Sequence, residues 1–215
     1  MVRRRGAAAP YRPVLVIATR NPGKRREFAQ LLLGLPVDLA DLNAFPDAPR
    51  VREDHESYLE NARAKALAVA RLTGRPALAD DSGLEVNALG GAPGVRSARY
   101  AGDEATDGDN VERLLGDLSG VPEKDRTARF RCVIVVADPN GAFLTSEATC
   151  EGRIATEGHG SGGFGYDPVF YCPEAGRTFA EMAPEEKNRV SHRARACNGL
   201  RPHLSAFLRD WTSGD

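Results

Sequence analysis

Pro76-Ala77-Leu78-Ala79-Asp80-Asp81-Ser82-Gly83 is the stretch whose reading decides the fold. Four residues form a short apolar run, and two adjacent carboxylates follow where that run meets a Ser-Gly pair. Read as a strand ending in a turn, the run sends Asp80 and Asp81 to opposite faces of a sheet, because side chains alternate along a strand. One carboxylate can then brace the structure while the other faces a cleft, holding a hard cation and orienting a water. Asp, Ser and Gly are also ordinary turn formers, so this segment alone divides evenly between an active site and a solvated turn.

Upstream, Ser57 to Leu72 reads as an alanine-rich helix. Its apolar stripe is Leu59, Ala62, Ala66, Val69 and Ala70, and Gly74 and Pro76 end it. Asn61 and Lys65 are one helical turn apart and share a face. Further upstream, Val14 to Ala18 is a buried β-branched strand. It leads into a helix with Asn21 as N-cap, Pro22 at the first position and Gly34 as C-cap. Val37 to Leu39 is expected to add a strand. Downstream, Asp107 to Leu118 is an amphipathic helix. Arg129 to Ala137 is the strongest strand signal, turning at Asp138-Pro139-Asn140-Gly141 into a return strand from Ala142 to Cys150. Ser191 to Arg209 reads as a helix with Ala194, Cys197, Leu200, Leu204 and Phe207 on one side, which Pro202 should kink or break. Strands and helices intermix, so the fold class is α/β with a mixed sheet. Residues 1–11, basic then alanine-rich, are read as a disordered tail before a single domain over 12–215.

Composition narrows the function. The 215 residues are 41% hydrophobic and carry a net charge of −1, against a broad footprint for duplex nucleic acid. No apolar run approaches a membrane span, so no membrane partner is expected. Cys132, Cys150, Cys172 and Cys197 show no zinc or C-x-x-C spacing, and read as reduced core thiols of a cytoplasmic protein. Arginine supplies 25 of the 29 basic residues. The four lysines, Lys24, Lys65, Lys124 and Lys187, therefore draw attention, because an ammonium is a compact point charge suited to phosphate oxygens.

Other segments share that chemistry. Thr19-Arg20-Asn21-Pro22-Gly23-Lys24 is a strand-to-helix passage whose free N–H groups, helix dipole and lysine suit a polyphosphate, or simply cap a helix. Glu60-Asn61 with Lys65 makes a polar helix face. In Gly162-Gly163-Phe164-Gly165-Tyr166-Asp167-Pro168, Phe164 stands between glycines, where a ring can stack on a base or anchor a core. Lys187 precedes Ser191-His192-Arg193, where Ser191 caps a helix and His192 and Arg193 can donate to a base carbonyl.

In type, order and spacing these segments resemble the inosine triphosphate pyrophosphatase, or Ham1-like, family. The shared motifs are T-x-N-x-G-K, E-N-A-x-x-K-A, A-D-D-S-G-L-x-V-x-x-L-x-G-A-P-G, G-G-F-G-Y-D-P and E-K-x-x-x-S-H-R, spread from Val14 to Phe207. Ser97-Ala98-Arg99-Tyr100 resembles the bacterial form. Lys24, Lys65 and Lys187 all fall on motif positions.

The resemblance implies Mg²⁺-dependent hydrolysis of ITP, dITP and XTP to the monophosphate and pyrophosphate. It also implies a homodimer and an elongated mixed sheet with two lobes around a substrate cleft. Carried over by position, Thr19, Arg20, Asn21, Pro22, Gly23 and Lys24 hold the triphosphate, with Asn61 and Lys65 beside them. Asp81 is the catalytic carboxylate and a metal ligand, Glu53 a second metal-side carboxylate, and Ser82 a substrate contact. Phe164, Gly165, Tyr166, Asp167, Lys187, His192 and Arg193 bind the nucleotide at its base. Donors facing purine O6 would reject adenine, which presents an amino group there. The chain departs from the family's usual pattern at Arg20, Pro22, Arg52 and Pro202. Two other readings fit the same residues: a pyrophosphatase for another modified nucleotide, and a nucleotide-binding module that does not hydrolyse.

Overall fold

In the computed structural model, residues 12–49 and 51–212 are described; the expected N-terminal tail lies outside them. Among the described residues one seven-stranded sheet runs in the order β2-β1-β3-β4-β5-β6-β7. Its strands are β1 (Val14–Ile17), β2 (Asp38–Asp41), β3 (Ala77–Val86), β4 (Thr127–Ala137), β5 (Phe143–Ile154), β6 (Phe170–Cys172) and β7 (Arg177–Thr178). β1 is parallel to β2 and β3, and every later pairing is antiparallel. The helices are α1 (Pro22–Leu31), α2 (Tyr58–Thr73), α3 (Asp107–Asp117), α4 (Pro184–Val190) and α5 (His192–Thr212). No helix among the described residues is long and apolar enough to cross a membrane.

Alternation along β3 organises the core. Leu78 joins Phe28 of α1, Leu32 just after it, and Cys197, Leu200 and Leu204 of α5 on one face. Ala77 and Ala79 join Ala62, Ala66, Val69 and Ala70 of α2 on the other. Alanines suit that face because they let α2 approach the sheet closely. Leu84 and Val86, at the far end of β3, join a third cluster with Leu114 of α3, Phe130, Phe170 and Phe179. Two apolar masses thus lie along one strand, with Asp80 to Ser82 between them.

Where the chain departs from expectation, the causes are local. The Ser82-Gly83 turn does not exist: β3 continues to Val86, each residue paired with β4. Gly83 is needed there for space, since a Cβ would lie 2.5 Å from the Tyr58 hydroxyl and overlap the Gly94 carbonyl. The cap of α1 is Leu32, not Gly34; Gly34 takes its left-handed φ of 81° two residues later. β2 lies at Asp38–Asp41, shifted from Val37 to Leu39, because its register follows β1. Leu59 is exposed, since Ala62, Ala66, Val69 and Ala70 fill the gap to the sheet. α5 runs through Pro202, which sits on an exposed face and does not break it. All four cysteines are free and buried, and burial pushes the Cys132 and Cys150 thiols up to about 12, so they are inert.

Candidate active site

β1 pairs with β3 only at Val16 and Ile17, so from Ala79 β3 has no strand on that side until the bridge between Glu85 and Pro93. The chain leaves β1 into α1 on one face and reaches β3 through α2 on the other. A strand whose neighbours depart to opposite faces opens a crevice at its carboxyl end, where ligands of α/β sheets settle. The free backbone groups of β3 are claimed by side chains: Lys65 donates to the Asp80 carbonyl at 2.6 Å, and the Leu84 N–H donates to Ser97 Oγ at 2.8 Å.

Asp80 and Asp81 are both buried and diverge as alternation requires. Asp81 turns to the α2 side, where Asn61 Nδ2 donates to its Oδ2 at 3.0 Å and Lys65 Nζ lies 3.9 Å from its Oδ1. Lys65 also pairs with Glu53 at 2.5 Å. Burial raises the Asp81 carboxyl above its ordinary range, although Lys65 and Lys24 pull the other way. A carboxylate tuned upward and facing a cleft is a better proton acceptor than an ordinary aspartate.

Asp80 turns to the α1–α5 side. Its Oδ2 lies 3.1 Å from Lys24 Nζ and 3.0 Å from Arg193 Nη2, and accepts from Ser82 Oγ at 2.7 Å. Burial alone would raise this carboxyl, but Lys24, Arg193 and Lys65 outweigh it and hold it far below the usual range. Arg193 also pairs with Glu27, which pairs at 2.8 Å with Lys187, which pairs at 2.5 Å with Asp167. Alternating charge therefore runs from the α1 start to the glycine loop.

The cleft is lined by Asn21, Lys24, Glu53, Asp81, Ser82, Phe164, Gly165, Tyr166, Asp167, Lys187, His192 and Arg193. Phe164 lies against Gly23, where a Cβ would come within 2.7 Å of its ring, and the Lys187 ammonium sits 4.8 Å from the ring centroid. That ring separates the cleft from a second crevice bounded by Gly23, Arg26, Gln30 and Asn188. His192 stacks on Phe130 at 4.6 Å; burial, with Arg193 and Lys187 nearby, keeps it neutral. A neutral imidazole can donate from one nitrogen and accept at the other.

Other expected residues stand in support. Thr19 Oγ1 accepts from the Asn21 N–H, and Asn21 caps α1 by accepting from the Lys24 N–H at 3.0 Å. Pro22 opens α1. Arg20 points to the Ala48 carbonyl at 2.6 Å, and Asn61 and Lys65 stand behind Asp81 and Glu53. Sequence reasoning missed Glu27, Gly83, Ser97, Ala98, Asp107, Asn110 and Phe130. Glu27 was legible in one respect: it lies three residues after Lys24, on the same helix face. Asp107, which accepts from the Gly165 N–H at 2.7 Å across the mouth, had no local signal.

Asp81 and Glu53 are the two carboxylates that could hold a cation. Asp81 and Glu53 offer hard oxygens at the cleft wall. Among the described residues no three His, Cys, Asp or Glu side chains form a metal cage.

The Ham1 family profile matches residues 15–203. A dITP/XTP pyrophosphatase of Geobacillus kaustophilus is 55% identical over 186 residues, 86% of this chain and 91% of that protein. One from Syntrophobacter fumaroxidans is 56% identical over 196 residues, 91% of this chain and 84% of that protein. A solved HAM1 protein of Coxiella burnetii superposes with a TM-score of 0.81 at 42% identity, covering 90% of this chain and 99% of that one. With the sheet, the split aspartates and the alternating charge chain in place, the family profile over most of its length settles the lineage: this chain belongs to the Ham1 family.

Proposed function

We propose that this chain hydrolyses non-standard purine nucleoside triphosphates, ITP, dITP and XTP, to the monophosphate and pyrophosphate. The observation that carries the reading is the cleft itself. Its lining gathers Lys24 at a helix start, Asp81, and a group of Phe164, Lys187, His192 and Arg193. Those are the groups a polyphosphate, a scissile bond and a purine require in turn.

Five carboxylates in the network, Glu27, Glu53, Asp80, Asp81 and Asp167, outnumber the four cations Lys24, Lys65, Lys187 and Arg193. A polyanionic substrate therefore needs further positive charge; Asp81 and Glu53 would hold a Mg²⁺ ion, which would supply that charge and offset the negative charge developing on pyrophosphate. Lys24 and the N–H groups at the α1 start bind phosphate oxygens. Asp81 orients a water and takes its proton as the water attacks the α-phosphorus. Lys65 keeps Asp81 and Glu53 from repelling one another. Phe164 offers its face to the base, and Arg193, Lys187 and neutral His192 offer donors to O6. An adenine amino group would meet donors there and leave a buried group unpaired.

A nucleotide panel with product analysis tests this reading. We expect pyrophosphate from ITP, dITP and XTP in the presence of Mg²⁺, with kcat/KM for ATP lower by roughly 10²-fold or more, as a donor-against-donor mismatch requires. Equal rates on ATP and ITP would remove the selectivity argument.

A further inference from the structure

Asp80 shares its charge unevenly. Its Oδ2 faces Lys24 Nζ at 3.1 Å, Arg193 Nη2 at 3.0 Å, Arg193 Nε at 3.3 Å and Ser82 Oγ at 2.7 Å. Its Oδ1 is buried and has no partner among the described residues. A carboxylate oxygen has about two lone-pair sites, so one oxygen is oversubscribed while its twin is empty. The competing cations stand side by side on different helices: Lys24 on α1, 3.1 Å from that oxygen, and Arg193 on α5, 3.0 Å from it.

We infer that Asp80 is a positioning residue that couples phosphate binding to base recognition; this rests on the pyrophosphatase reading of the cleft. Of the two cations, Lys24 is the one a polyphosphate draws away: its side chain keeps 17% exposure, against 2% for Arg193. When its ammonium turns to phosphate oxygens, Asp80 is left to Arg193 and Ser82. The vacant Oδ1 then offers the guanidinium a second acceptor, and a two-point pairing fixes the plane of an arginine in a way that one shared oxygen does not. Glu27 holds the remaining Nη1 in both arrangements. The two states are thus Asp80 shared and Asp80 held by Arg193 alone, and phosphate and base each bias the choice. The coupling is reciprocal: a base that engages an ordered Arg193 favours release of Lys24 to the phosphates. A mispaired base forgoes that gain, so the discrimination begun at O6 is carried to the phosphate end.

The test splits the substrate into inosine and inorganic pyrophosphate, so that binding is read without turnover. In the wild-type protein with Mg²⁺, saturating pyrophosphate should tighten inosine binding on the order of tenfold, measured by calorimetry. Lys24→Met supplies the discriminating result. With no lysine to compete, Asp80 belongs to Arg193 from the outset. The variant should then bind inosine about tenfold tighter than wild type without pyrophosphate, and gain nothing further when it is added. A merely structural lysine would produce no such gain. Absence of coupling in the wild-type protein overturns the inference, as does Lys24→Met binding inosine no tighter than wild type. ITP hydrolysis by the same wild-type sample separates the failures: turnover without coupling removes only the role of Asp80, while no turnover removes the reading beneath it.

Discussion

Asp81→Asn should lower kcat for ITP by on the order of 10³-fold, within the range that a positioned proton acceptor supplies, while nucleotide affinity stays close to wild type. Asparagine keeps the volume and one acceptor oxygen for Asn61 or the Ser82 N–H, so the fold of β3 is preserved. The substitution removes the negative charge and the basic oxygen at the cleft wall. Phosphate contacts from Lys24 and base contacts from Lys187 and Arg193 lie on other elements and remain. Steady-state rates paired with equilibrium binding of ITP check both halves. Turnover within tenfold of wild type would take Asp81 out of the reaction.

Arg193→Met should be the most destabilising substitution in the site. Arg193 is 1% exposed and neutralises Asp80 and Glu27, both on elements that build the core. Removing one partner of a buried charge network leaves the others uncompensated, at a cost of about 3–5 kcal/mol. For a chain of this size that corresponds to a melting temperature lower by roughly 6–20 °C. Methionine fills most of the volume, so the loss reports charge and not a cavity. Thermal unfolding followed by circular dichroism reads it directly. A change below about 1 kcal/mol would mean that Asp80 and Glu27 relax to solvent or take up protons at little cost.

The same residues show how far the sequence alone reaches. Strand alternation separated Asp80 from Asp81 correctly, because an apolar run of Ala77, Leu78 and Ala79 leaves little doubt about register. The alanines of α2, the cap at Asn21 and the helix end at Gly74 were equally local, and they stand where expected; Ser57, read as the first helical residue, is the N-cap. The Ser82-Gly83 turn was misread because the need for glycine arises from Tyr58 and Gly94, distant in sequence and invisible to local propensity. Glu27 looked like an ordinary helix charge; its importance comes from Lys187 and Arg193, more than 150 residues later. Asp107 escaped for the same reason, since its partner Gly165 lies 58 residues away. Arg193 was read for its donors alone, whereas the fold uses it as the counter-ion of two buried carboxylates.

The central claim is attack of water on the α-phosphorus beside Asp81. Hydrolysis of ITP in ¹⁸O-labelled water, followed by mass spectrometry of both products, tests it most directly. Label appearing in the nucleoside monophosphate, with unlabelled pyrophosphate as the other product, is the result this account predicts. Label in pyrophosphate, or release of orthophosphate, would place the attack at another phosphorus and contradict it.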